Sequence, residues 1–233
     1  SSDWLAELGT RVGRTVRIEG EIAQIKQTSG PTIFTIVDES GTENAAAFIE
    51  AGVRAYPDAK LGDIAGITGE VMVLNNQLQI EVESLSILSG EEEAQVRQRI
   101  ERALDQRSEP PDIPLLVRSE VLEKLRPSMR EVAKIIRRAV FTAQPIILRH
   151  HADADGISGR PNCICSAVAI EQAVTSLIRE SGGDFDADYF LFKRSPSKAP
   201  FYEIEDVTRD LDFALKDHVR FGQKLPLVLL TDN

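Results

Sequence analysis

Hydrophobic and polar positions alternate through VRIEGEI, from Val16 to Ile22, the period-two pattern of a half-buried strand. TIFTIVDESG, from Thr32 to Gly41, runs apolar into a turn-forming cluster, and AAAFI, from Ala45 to Ile49, reads as a third strand. AGVRAYPDAKLGD then offers a short helical connection and a turn. Two longer runs follow, IAGITGEVMVL and LQIEVESLSIL, joined at Asn75 and Asn76 as a hairpin. Five short strands with a helix-like connection between the third and fourth predict a five-stranded OB-type β-barrel over residues 1–89. Gly20 and Gly69 permit strong bending at barrel corners.

The period changes after Gly90. GEEEAQVRQRIERALDQ opens with acids, which favour a helix's first turn, and Pro110 and Pro111 end it, predicting a helical linker over residues 90–117. Arg97, Arg99 and Arg102 interleave with acids there, as on a solvated helix. Residues 118–233 read as α/β. A helix carries Leu125, Met129, Val132, Ile136 and Val140 at the spacing of an inward face. It precedes the strand PIILRHH, the helix AVAIEQAVTSLIRE, the strand DADYFLF, the polar loop KRSPSKAPF, a helix from about Glu203 to Val219, and the strand LPLVLL. Alternation of this kind implies a parallel sheet with right-handed crossovers. The fold class expected is therefore mixed, a β-barrel followed by an incomplete α/β parallel-sheet domain.

Candidate chemistry gathers where the first α/β strand ends, in PIILRHHADADG. In an extended segment His151, Asp153 and Asp155, at i, i+2 and i+4, point to one side and can converge on one or two ions, whereas His150 points to the other. Carboxylate oxygens with an imidazole suit Mn²⁺ or Mg²⁺ better than Zn²⁺. Open α/β sheets place their sites in this position, beyond the carboxyl ends of the strands. The plainer alternative is that the aspartates cap a helix and the histidines solvate a loop.

HADADGIS resembles the first motif of the DHH phosphoesterase superfamily, particularly the RecJ-like nucleases and their archaeal relatives, and LPLVLLTDN resembles the second, an apolar strand ending in a metal-binding Asp, here Asp232. The resemblance implies that Asp153, Asp155 and Asp232 are catalytic metal ligands with His151, that two manganese (or magnesium) ions are bound in the complete protein, and that the substrate is single-stranded nucleic acid cut from an end. The family's Asp-His-His motif and a fourth Asp have no counterpart, so the chain is expected to be an N-terminal fragment that binds metal weakly and catalyses little alone. GRPNCICS, from Gly159 to Ser166, departs from the direct passage into a helix usual in the family. Lys193 and Arg194 are candidates for substrate phosphate. The barrel resembles the OB-fold nucleic-acid-binding domains ahead of archaeal DHH proteins, which implies roles for Arg17, Lys26, Phe34 and Phe48, although both phenylalanines sit in apolar runs where core packing is the alternative. Two other readings stay open: hydrolysis of cyclic dinucleotides, very short oligonucleotides or pyrophosphate by the same metal site, and a non-catalytic scaffold that docks a replication or repair protein.

Charge complicates the nucleic-acid reading. The net charge is −10, and residues 1–90 hold 6 Lys and Arg against 13 Asp and Glu. Phosphate contacts usually require a basic surface. Arg118 to Arg149, by contrast, carries 8 basic residues against 3 acidic ones, immediately before the motif. With 233 residues, 42% of them hydrophobic, the chain is long enough for two modest domains. The sequence contains no run approaching the roughly 20 apolar residues of a membrane span and no signal-like start, so cytoplasmic residence is expected. Cys163 and Cys165 read as small packing residues.

Overall fold

The computed structural model describes residues 3–151, 166–181, 191–197 and 201–231. Strands β1 (Thr15–Gln27), β2 (Thr32–Val37), β3 (Thr42–Ala47), β4 (Ile64–Leu74) and β5 (Gln77–Ile87) close into a barrel in the order β1-β2-β3-β5-β4. Pairing is antiparallel except between β3 and β5. Closure removes the free edges that a five-stranded sheet would expose. Because side chains alternate across a strand, Val16, Ile18, Ile22, Phe34, Ile36, Ile67, Val71 and Ile80 fill the interior. Asn75 and Asn76 both have positive φ, 51° and 67°, as a two-residue type I′ hairpin requires. Gly69 stands where the β4–β5 register shifts, and a Cβ there would lie 2.2 Å from the Glu81 carbonyl oxygen.

Two features of the barrel differ from the pattern reading. Residues 51–63 form turns rather than a helix, because positive φ at Gly52, Tyr56 and Gly62 breaks any helical run. A six-residue 3-10 helix, Leu5–Thr10, lies ahead of β1 and buries Leu5 and Leu8 in the barrel core. Its entry is fixed by the buried carboxylate of Asp38, which accepts from the Leu5 N–H at 2.8 Å and from the backbone of Ser40 and Gly41. A helix this short has no periodic signal to read.

Helices α1 (Gly90–Ser108) and α2 (Glu120–Phe141) lead into a three-stranded parallel sheet of β6 (Ile146–His151), β7 (Phe192–Ser197) and β8 (Leu227–Thr231), in the order β7-β6-β8. Helix α3 (Ser166–Glu180) joins β6 to β7, and α4 (Ile204–Phe221) joins β7 to β8. The expectation of a solvated linker helix fails for α1. Val96, Ile100 and Leu104 are buried and share one core with Ala23, Val37, Ile64 and Leu88 on the outside of the barrel and with Phe141, Leu148 and Ile178 of the α/β part. Arg97 and Arg99, read as solvated, reach barrel carboxylates instead: Arg97 pairs with Glu21 at 3.6 Å, and Arg99 with Glu19 and Glu39, both at 3.1 Å. The acidity of the barrel is in part an interface charge.

Helix α2 bears out the C-terminal part of the expected inward face, where Val140 is buried and Ile136 packs against the same core, and corrects the rest. Leu125, Met129 and Val132 are each about half exposed, at 49%, 50% and 50%, and only the C-terminal end, Ala139 to Phe141, is buried. Its cations are spent on α1 and the segment after it: Lys134 with Asp105 at 2.7 Å, Arg130 with Glu109 at 2.9 Å, and Arg126 with Asp112 at 2.6 Å. Strand β7 begins at Phe192 and runs through KRSPS, displacing the expected loop; most of DADYFLF lies outside the described residues. Pro196 sits within β7, which is tolerable because β7 is an edge strand of the described sheet.

Candidate functional site

Of the expected metal ligands, His151 is described, as the half-buried last residue of β6. Asp153, Asp155 and Asp232 lie outside the described residues, as do Cys163, Cys165 and most of Gly159–Ser166. What the structure gives is the frame around them. Strands β6 and β8 are neighbours and parallel, with His150 in register with Thr231. The two strands that immediately precede Asp153 and Asp232 in sequence thus end side by side at one sheet edge. The connections from β6 to β7 and from β7 to β8 run in opposite senses across the sheet, so the β6/β8 boundary is the point at which strand order reverses. Crevices at such reversals are where open α/β sheets bind ligands. Among the described residues no group of three or more His, Cys, Asp and Glu is suited to a metal.

Sequence reasoning missed what fixes this edge. Arg149, 3% exposed, is held by α4: Nε donates to Asp210 Oδ2 at 2.8 Å, Nη2 donates to Asp210 Oδ1, and Nη1 lies 3.4 Å from Asp206 Oδ1. Nη1 also donates to the Pro196 carbonyl of β7 at 3.3 Å, and the Tyr202 hydroxyl donates to Asp210 Oδ2 at 3.0 Å. Burial pushes the Asp210 carboxyl up, but the hydrogen bonds from Arg149 and Tyr202 outweigh it and hold the group below its ordinary value. The hydrogen bond to Asp210, working against burial, raises Arg149. Burial, and then the bond to Asp210, lifts the Tyr202 phenol to about 12. One residue beyond, His150 is 1% exposed; its Nδ1 is 2.8 Å from the His151 carbonyl oxygen, and its Nε2 is buried with no hydrogen-bond partner among the described residues. The available signal was an arginine inside the apolar run IILRHH, with acids at 206 and 210 one helical turn apart.

The remaining candidates separate. Arg194 pairs with Glu171 of α3 at 2.7 Å, and Lys193 lies 4.7 Å from the Phe213 ring centroid. Phe34 is a core residue, 0% exposed and edge-on to Tyr56, so it is no base platform. Phe48 is 63% exposed, just past the end of β3. Arg17 is largely exposed and 3.8 Å from Glu19. Lys26 lines a cleft of about 350 Å³ between the barrel and the α/β part, along with Thr35, Glu43, Asn44 and Gln79 on one side and Ile178, Ser181 and Phe221 on the other. Burial raises the Glu43 carboxyl to about 7, against a lowering backbone hydrogen bond from Asn44.

The junction that forms this cleft is specific. Beside the shift of β1 register at Ile22/Gln24, the Ile25 N–H donates to the Gly222 carbonyl at 3.1 Å and Gln24 Nε2 to the Phe221 carbonyl at 3.3 Å. Lys224 pairs with Glu21 at 2.9 Å, and Thr42 Oγ1 donates to the Phe141 carbonyl at 3.3 Å. Gly222 caps α4 with φ +60°, and a Cβ there would lie 1.8 Å from the Ile25 carbonyl oxygen.

Comparison with known proteins fits this division. Residues 16–88 match the tRNA_anti-codon family, described as an OB-fold nucleic acid binding domain. The barrel is an OB fold. Over 221 residues the chain is 51% identical to Uncharacterized protein MJ1198 of Methanocaldococcus jannaschii, covering 94% of this chain and 28% of that relative. The chain therefore spans about a quarter of the length of the curated relative it matches. A solved structure of the DHH domain of a member of the s1p family of ribosomal proteins aligns with 48% identity and a TM-score of 0.55, covering 62% of this chain and 31% of that one. The architecture is an OB barrel followed by a helical and parallel-sheet region like that of a DHH domain. Among the described residues no helix is long and apolar enough to cross a membrane.

Proposed function

We propose that this chain carries the first half of the metal site of a DHH-type phosphoesterase, in a protein that hydrolyses phosphodiesters of single-stranded nucleic acid. The observation that supports the reading is the adjacency of β6 and β8: in sequence, Asp153 follows the end of one and Asp232 the end of the other, at a strand-order reversal. Composition by itself gives no reason for two strands that are each followed in sequence by aspartate to be neighbours.

The residues fit a hard divalent ion. His151, at the carboxyl end of β6, and the carboxylates of Asp153, Asp155 and Asp232 make a donor set dominated by oxygen, which suits Mn²⁺ or Mg²⁺. Such ions, when bound, supply a lowered water pKa and stabilise charge on the phosphoryl group. The rest is done by the chain. Arg149 fixes the end of β6 to α4 through a buried guanidinium–carboxylate pair and to β7 through the Pro196 carbonyl, so the strand that presents His151 cannot shift without breaking these contacts. The OB barrel, hydrogen-bonded at Ile25 to Gly222 and ion-paired at Glu21 to Lys224, belongs to a fold that commonly binds single strands.

The test is calorimetric and enzymatic. Mn²⁺ is expected to bind the chain and to bind at least tenfold more weakly after Asp153→Ala or Asp232→Asn, and protein of the relative's full length is expected to cleave single-stranded oligonucleotides only with Mn²⁺ or Mg²⁺. An Asp153→Ala protein that retains both the affinity and the rate would refute the reading.

A further inference from the structure

Helix α2 has two long sides, and one of them is filled. Arg126, Arg130, Lys134 and Arg138 reach carboxylates of α1 and of the segment after it, and Arg137 donates to the Arg107 carbonyl, so α1 lies along this side. The apolar residues run down the opposite side. Leu125, Met129, Val132 and Ile136 recur at i, i+4, i+7 and i+11, with Val121 and Ile135 alongside. At its C-terminal end this row is core, since Ile136, Ala139 and Val140 share a cluster with Val174 and Ile178 of α3. Toward the N-terminus the same row continues with no described residue covering it: Val121, Leu125, Met129, Val132 and Ile135 are each 47–65% exposed.

Five half-exposed aliphatic side chains in one row leave on the order of 400 Å² of apolar surface in water, the size at which a contiguous patch marks an interaction site. The charges beside the row identify the occupant. Lys124 and Glu131 lie about two helical turns apart on the flank of the row away from the cations that hold α1, both exposed and neither ion-paired among the described residues. A second α2 laid antiparallel, with a two-fold axis between Pro127 and Ser128, sets Leu125 opposite Met129, Leu122 opposite Val132 and Val121 opposite Ile135, each pair formed twice. The same operation brings Lys124 of each copy to Glu131 of the other. A parallel pair would instead set Lys124 beside Lys124 and Glu131 beside Glu131. The helix is complementary to itself in the antiparallel orientation.

We infer that the exposed half of α2 is a homodimer interface, in which two copies pack antiparallel through Leu125 and Met129 and reciprocal Lys124–Glu131 pairs fix the register. A buried area of about half the usual 800 Å² per partner makes the dimer weak, with a Kd on the order of 10 µM. The C-terminal half of α2 keeps its place against α3, and the dimer requires neither a metal ion nor nucleic acid.

The test is sedimentation equilibrium of the whole chain between about 1 and about 200 µM, in EDTA and without nucleic acid. A monomer–dimer equilibrium is expected. Leu125→Glu and Met129→Glu, at exposed positions where circular dichroism should show an unchanged fold, are expected to stay monomeric throughout. Lys124→Glu and Glu131→Lys each set like charges together and should weaken self-association about fivefold or more, while an equimolar mixture of the two variants restores opposite pairs and should associate as tightly as the parent. A monomer at every concentration, a dimer indifferent to both Leu125→Glu and Met129→Glu, or a mixture no tighter than its components would overturn the interface. So would a monomer of the relative's full length beside a dimer of this chain, which gives the face to another part of the same protein. Because no ion or substrate enters the measurement, failure here leaves the proposed metal site standing, and loss of that site leaves the dimer standing.

Discussion

Replacing Arg149 with Met removes the cation that holds α4 to the sheet and leaves Asp206 and Asp210, 6% and 7% exposed, behind it. Asp206 retains Arg209, and among the described residues Asp210 keeps the Tyr202 hydroxyl as its hydrogen-bond donor. Breaking a buried pair on one side typically costs about 3–5 kcal/mol, because the remaining charge stays desolvated. With a urea m-value of about 3 kcal/mol/M, the unfolding midpoint should fall by about 1–2 M. Arg149→Met/Asp210→Leu removes both charges and should recover most of that loss, since apolar replacement of a whole buried pair is often neutral. The pH dependence has a definite sign. Asp210 is depressed in the folded protein, so its contribution is complete above the unfolded carboxylate value and is lost as pH falls through the folded one, and the double variant should flatten this acid limb below about pH 4. Urea titrations followed by far-ultraviolet circular dichroism measure all three proteins. A loss below about 1 kcal/mol in Arg149→Met, or a double variant as unstable as the single, would refute the reasoning.

Three further outcomes follow from particular residues. Glu43 is raised by burial from 4.5 to about 7, so stability should decline as pH rises between those values and level off above 7; with solvent screening the change should be about 1–2 kcal/mol, and Glu43→Gln should abolish the slope. Gly222→Ala places a Cβ 1.8 Å from the Ile25 carbonyl oxygen at a positive φ and should cost at least about 2 kcal/mol, with faster hydrogen exchange at the Ile25 amide that donates to Gly222; unchanged exchange there would show that the junction is not held by this contact. Phe34→Ala should destabilise the barrel by about 3–5 kcal/mol and Phe48→Ala by under about 0.5 kcal/mol, as compared in thermal melts.

Much of the fold was legible in the pattern. Alternation in VRIEGEI and the Asn75-Asn76 turn define β1 and the β4–β5 hairpin, because strand period and turn dihedrals are local properties of the chain. The apolar run ending in RHH marks β6, since a strand buried on both faces needs few polar side chains. Periodicity misled on α2, where Leu125 and Met129 have the spacing of a core face but about half their surface is exposed. It also misled on α1, whose charged surface obscured the narrow stripe of Val96, Ile100 and Leu104. Spacing states that a helix has an apolar side, not what lies against it.

By itself, then, the sequence determined the elements and the residue types available for chemistry: five barrel strands, alternating helices and strands, and the aspartates after two apolar runs. Tertiary structure decided which of these meet. It set β8 beside β6, buried Arg149 against Asp210, turned Phe34 inward, and faced the barrel's amide-lined side toward the α/β part. Those outcomes depend on packing between residues 60 to 200 positions apart in sequence, as between Arg149 and Asp210 or between Glu21 and Lys224. No local pattern encodes such pairings, because their energy appears only when both partners leave water together.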